Sequence, residues 1–125
     1  MENLRIEKTS DSPAVNLDPD SGILEIKGRS IADDINHFYQ PILTWIDSYS
    51  KKPHQKTVMK MFFSYYNTST SKSISEILKK LDELHKKGFD VKVCWYYDEG
   101  DESSMEDGED FKEFINLPIE VIESK

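Results

Sequence analysis

Apolar and polar positions divide the chain into short alternating stretches and longer stretches of helical period. Ala14 to Leu17 and Ile23 to Lys27 flank Asp18-Pro19-Asp20-Ser21-Gly22, a cluster of turn formers, and predict a β-hairpin with Gly22 at positive φ. In its second strand Leu24 and Ile26 alternate with Glu25 and Lys27, so one face is expected to meet water. Leu4 to Thr9 reads as a short strand or a frayed tail. From about Asp33 to Tyr49, the residues Ile35, Phe38, Tyr39, Ile42, Leu43, Ile46 and Tyr49 fall on one helical stripe. Ser30 or Asp33 is the expected cap, and Pro41 inside the stripe predicts a kink, or a break one turn before it.

Thr57 to Tyr66 is the most strand-like run. Strict alternation puts Met59, Met61, Phe63 and Tyr65 on one face, and Val58, Lys60, Phe62, Ser64 and Tyr66 on a half-polar one. A second helix carries Ile74, Ile77, Leu78, Leu81 and Leu84 and ends at Gly88, placed as a C′ glycine. Asp90 to Tyr97 is a further strand with Val91, Val93, Trp95 and Tyr97 on one side. An acidic segment then leads into a third helix around Phe111 to Ile115, and Pro118 to Ile122 closes the chain as a strand. A hairpin followed by alternating helices and strands implies right-handed crossovers. The fold expected is a single α/β domain over residues 1–125, with a mixed sheet of about five strands and helices mainly on one face.

Composition narrows the function more than the fold. A chain of 125 residues supports one core. It has no apolar run of the ~20 residues that span a bilayer. Its start lacks a basic and apolar leader, so a cytoplasmic protein without membrane association is expected. The single Cys94 sits in an apolar run and reads as a buried thiol. Net charge is −8, but Asp98 to Asp110 alone holds eight acidic residues and no basic one, leaving the rest balanced at sixteen of each sign. No basic stripe suits nucleic acid. The acidic run lacks the alternating Asp/Asn, Gly and distant Glu of a calcium loop, and reads as a solvated connection or a docking surface for a basic partner. His37, His54 and His85 have no metal-ligand spacing, and no phosphate-binding glycine motif or nucleophile elbow is present. No catalytic role and no cofactor are expected.

The chemically suggestive segment is the junction of the central strand and second helix, Tyr65-Tyr66-Asn67-Thr68-Ser69-Thr70-Ser71-Lys72-Ser73. It lies at the C-terminal edge of a parallel strand, where α/β folds meet ligands and partners. A helix N-terminus also favours added negative charge. A phosphate there brings roughly −1.5 to −2 charges to a formerly neutral surface, enough to dismiss a partner shaped for a hydroxyl. Ordinary helix capping, with Ser73 and Glu76 as a capping box, is the competing account, and residue chemistry alone favours it. Trp45 and Trp95 read as core, whereas Phe62, Tyr66 and Tyr96 fall on less apolar strand faces open to contact.

Several pieces of the chain together resemble one group. These are Leu17-Asp18-Pro19, Gly22-Ile23-Leu24-Glu25-Ile26 and Gly28-Arg29-Ser30 in the hairpin, and Phe38-Tyr39-Gln40-Pro41 with Trp45 on the first helix. To them are added Tyr66-Asn67-Thr68-Ser69, Trp95-Tyr96-Tyr97-Asp98-Glu99, Met105-Glu106-Asp107-Gly108 and Leu117-Pro118. In these the chain resembles the SiaC family of bacterial regulatory phosphoproteins, themselves similar to anti-sigma-factor antagonist (STAS) domains. The resemblance implies partner switching. By this resemblance a protein kinase is expected to phosphorylate Thr68 and a metal-dependent phosphatase to reverse it, the unphosphorylated form engaging an output protein, for the namesake branch a diguanylate cyclase. Asn67, Ser69, Thr70 and Ser71 would then shape the turn or act as alternative acceptors. Lys72 would pair with the phosphate, and Ser30 would belong to the surrounding partner surface. Where the family tends to carry Tyr-Pro-Glu-Asn, this chain has Ile31-Ala32-Asp33-Asp34, so partner contacts at the first helix are expected to differ. The alternative is a constitutive small-molecule or protein-binding module of the same fold, with a pocket lined by Tyr65, Tyr97 and the first helix.

Overall fold

The hairpin forms where the turn residues place it. Asp18 holds the turn with its carboxylate, accepting from Asp20 N and Ser21 Oγ, both at 3.0 Å. Gly22 adopts φ 74°, and a Cβ there would lie 2.1 Å from the Lys56 carbonyl oxygen, so the position demands glycine. In the computed structural model, which describes residues 1–124, the elements run β1 (Leu4–Ile6), β2 (Ala14–Asp18), β3 (Ile23–Ser30), α1 (Ile35–Tyr49), β4 (Lys56–Tyr66), α2 (Thr68–Lys86), β5 (Asp90–Asp98), α3 (Glu102–Phe114) and β6 (Ile119–Ser124).

The six strands form one sheet in the order β1-β2-β3-β4-β5-β6. The β1–β2 and β2–β3 pairs are antiparallel and the remaining pairs parallel. The strand beyond the expected five is β1, the segment read as a strand or a tail. Each parallel strand is added on the same side of its predecessor, so successive right-handed crossovers deliver α1, α2 and α3 to one face. Their apolar stripes meet the inward residues Leu24, Ile26, Met59, Met61, Val91, Val93 and Trp95, all buried. The opposite face is open, and on it Phe62 and Tyr96 stack with ring centroids 6.2 Å apart. Because the strand order never reverses, the sheet has no crevice of the kind that receives nucleotides in doubly wound folds.

Four local expectations need correction. The α1 cap is Asp34, whose carboxylate accepts from His37 N, whereas Ser30 ends β3 and Asp33 precedes the cap. The helix runs through Pro41 without a break, because Pro41 and the His37 carbonyl it leaves without its i+4 donor lie on the exposed side, open to solvent. Strict alternation in β4 fails after Phe63. Gly28 faces Phe63 but Arg29 faces Tyr65, so Ser64 is an extra residue, a β-bulge. The bulge swaps the last two positions: Tyr65 is 59% exposed on the open face, and Tyr66 packs inward against the core. Finally, α3 spans Glu102–Phe114, so most of the acidic segment is helix and not a connection.

Candidate functional site

At the junction that the sequence singles out, β4 passes directly into α2. Asn67, in extended backbone, is the cap, and its side-chain oxygen accepts from Thr70 N at 3.0 Å. Thr68, Ser69 and Thr70 are therefore the first three helical residues, and Ser73 with Glu76 is no capping box, since Ser73 lies buried a turn further in. The hydroxyls separate sharply by exposure. Thr68 and Ser69 are exposed and Ser71 is half-buried, while Thr70 is fully buried. Lys72, one turn after Thr68, is exposed.

Thr70 belongs to a buried relay that fixes this turn. Its Oγ1 donates to the Ser30 carbonyl at 2.7 Å and contacts Ser30 Oγ at 2.9 Å, which in turn lies 2.8 Å from the Tyr39 hydroxyl. The single Thr70 proton is committed to the carbonyl, so Ser30 donates to Thr70 and Tyr39 donates to Ser30. Burial pushes the Tyr39 phenol up to about 12, with the Ser30 contact opposing it. Ser30, expected on the partner surface, is 0% exposed and instead locks β3, α1 and α2 together.

The other flank of the turn is held by α3. The Tyr66 hydroxyl donates to Asp107 Oδ2. Burial, then the Asp107 hydrogen bond, then the charges of Asp107 and Asp101 push the Tyr66 phenol far above its ordinary range, so it stays a donor. The Tyr66 ring sits edge-on to Trp95 at 6.1 Å, and Trp95 Nε1 donates to the Ser104 carbonyl at 2.9 Å. Gly108 closes the packing, since a Cβ there would stand 2.5 Å from the indole. The sequence pattern assigns Gly108 and Asp107 no role. With the third helix expected only around Phe111 to Ile115, Gly108 carries no mid-helix signal of close approach in the sequence. Tyr39 belongs to the helix stripe and to the Phe38-Tyr39-Gln40-Pro41 run, but no local pattern marks its hydroxyl as the partner of Ser30, which links on to Thr70 forty residues away.

Thr68 thus stands exposed between two anchored neighbours, Tyr66 and Thr70. It sits at one end of a groove of about 920 Å³ between α2 and the end of α3. A pocket shared by Tyr65 and α1 does not form, because Tyr65 lies on the open face beneath the Arg29 guanidinium, away from the helices. No helix among the described residues is long and apolar enough to cross a membrane.

Comparison with known proteins agrees with this fold. The chain is 27% identical over 121 residues to an uncharacterised protein of Pseudomonas aeruginosa strain UCBPP-PA14, covering 97% of this chain and 96% of that one. The crystal structure of apo-SiaC from Pseudomonas aeruginosa matches with a TM-score of 0.90 at 26% identity, over 98% of this chain and 99% of that one. The SiaC chain in the crystal structure of the diguanylate cyclase SiaD with its activator SiaC, also from Pseudomonas aeruginosa, matches with a TM-score of 0.91 at 26% identity, over 97% and 99% of the two chains. The model of the SiaC family of regulatory phosphoproteins matches residues 6–124, and with nearly the whole fold covered, the chain belongs to that family.

Proposed function

We propose that this protein is a non-catalytic, cytoplasmic partner-switching regulator controlled by phosphorylation of Thr68. A partner kinase transfers a phosphoryl group from a nucleoside triphosphate to Thr68 Oγ1, the hydroxyl proton leaving to the kinase's base. A metal-dependent phosphatase returns the hydroxyl by hydrolysis, releasing inorganic phosphate. The unphosphorylated form engages an output protein, a diguanylate cyclase, in keeping with the complex of the related SiaC with SiaD.

The observation that carries this reading is the sorting of hydroxyls at the start of α2. Thr68 is exposed on a turn braced at Tyr66 and Thr70, so a kinase reaches it without unfolding the helix. Thr70 and Ser73 are closed to it by burial, while Ser69 and Ser71 remain secondary acceptors. As the first helical residue, Thr68 places a phosphate at the positive end of the α2 dipole, where added negative charge stabilises the helix. Lys72 lies one turn on and is free to pair with it. The unreversed strand order also removes the crevice that a small-molecule module of this class would use.

The test is intact-mass and peptide mass spectrometry on the protein from its native host, with phosphatase inhibitors present. A phosphate localised to Thr68, and lost in Thr68→Ala, is expected. A fully covered Thr68–Ser73 peptide without phosphate across several growth conditions overturns the reading.

A further inference from the structure

The groove that begins at Thr68 has two unlike walls. One is α2, which presents Lys72 and Lys79 seven residues apart, on one stripe of the helix and both exposed. Neither is in an ion pair among the described residues, whereas Lys86 further along is occupied by Asp82 at 3.4 Å. Asp82 faces inward, its other oxygen accepting from Leu117 N at 3.0 Å, so Glu76 is the groove's only exposed carboxylate on α2. The second wall is apolar: Phe111, Phe114 and Ile115 at the end of α3. Phe114 is 82% exposed, although three turns of strongly acidic helix precede it. A phenyl ring left this open beside two lysines in no ion pair among the described residues, on a protein of net charge −8, has the makings of an anchor point.

We infer that this groove is the docking site of the output protein, and that its occupant is an amphipathic helix with an apolar stripe flanked by Asp or Glu at seven-residue spacing. The inference rests on the switch reading above and adds where and how the partner binds. A helix fits both walls at once, because its apolar stripe and flanking charges diverge at a fixed angle. Two turns of helix match the separation of Lys72 and Lys79, so carboxylates at i and i+7 meet both ammonium groups. Charge complementarity sets the choice of an acidic helix over a basic one. Regulation follows directly: a phosphate on Thr68 takes Lys72 for itself and sets a dianion at the groove's mouth, so the modification competes with the acidic helix for the same cation.

The experiment uses the full chain in its host, with a photo-crosslinking phenylalanine analogue replacing Phe114, or replacing Phe62 on the open sheet face as comparison. The protein that co-purifies with the Thr68→Ala form is identified, and the crosslinked peptide is mapped. Adducts from position 114 to an acidic amphipathic helical segment of that protein are expected, with none from position 62. In parallel, Phe114→Ala combined with Lys79→Gln, both at exposed sites, should weaken co-purification by about tenfold or more, and Thr68→Asp should do the same. If a partner co-purifies but crosslinks only through position 62, or through position 114 to a basic or extended segment, the groove assignment is wrong and the switch reading stands. If nothing co-purifies with the unphosphorylated chain, both fall.

Discussion

Helices α2 and α3 begin alike and are held quite differently. Each is capped by an Asx side chain three residues before the backbone N–H it accepts from: Asn67 with Thr70, Asp101 with Ser104. Beyond the cap they diverge. In α2 the third residue, Thr70, hands its proton to the Ser30 carbonyl, and Ile74, Ile77, Leu78, Leu81 and Leu84 follow into the core. In α3 the third residue, Ser104, is buried with its hydroxyl unpartnered among the described residues, and the only other buried residue is Gly108. Acidic Glu109, Asp110 and Glu113 near its C-terminus oppose the helix dipole. Thus α2 is a rigid platform for Thr68, whereas α3 clings through Trp95, Gly108 and the Tyr66–Asp107 bond. Identical local starts do not make equally stable helices, because burial decides.

The contrast can be broken most forcefully from the α2 side. Leu81→Ala removes a fully buried side chain and should cost about 2–5 kcal/mol of global stability by urea denaturation. An effect below about 1 kcal/mol would deny α2 its role as platform. Gly108→Leu forces a side chain into the indole of Trp95 and should cost about 1–3 kcal/mol. Hydrogen exchange should then show lost protection concentrated in 102–114, and loss spread evenly over α2 would contradict the contrast. Thr70→Val strands the Ser30 hydroxyl and carbonyl and should cost about 1–3 kcal/mol. Its exposed neighbour sharpens the comparison, since Thr68→Ala should stay within about 0.5 kcal/mol of wild type in the same assay.

The remaining effect is a pH dependence, confined to alkaline conditions. Tyr39 holds its proton up to about 12 when folded against 10.0 for the ordinary phenol, so between those values the native state binds more protons than the unfolded chain. Its contribution is therefore complete below about pH 10 and is lost as pH rises toward 12. Tyr39→Phe should flatten that part of an alkaline stability profile, and an unchanged slope would place the loss elsewhere.

Much of this was readable in the chain, and the failures have physical causes. The hairpin, the first two helices with the strands that follow them and the C′ glycine of α2 follow from local periodicity and turn chemistry, and they stand close to where the pattern put them. The acidic helix escaped because its apolar residues are too few to show a period: it packs by a glycine and a serine, and a moment built on large side chains misses both. At the junction, the hydroxyl-rich run and Thr68 were visible. The division between exposed and buried hydroxyls was not, since it depends on Ser30 and Tyr39 arriving from other elements.

The bulge at Ser64 carries a last consequence, one of parity. A strand tells inside from outside only by counting odd and even, and the extra residue changes the count between Phe63 and the cap. Through that single change Tyr66 reaches Asp107 and Trp95, Tyr65 is turned out to the open side, and α2 departs with Thr70 inward and Thr68 outward. Were Ser64 paired in regular register instead of bulged, the same residues of the Tyr66–Lys72 segment would be read in the opposite phase. The address of Thr68 is written as much in that one unpaired residue as in the residues around it.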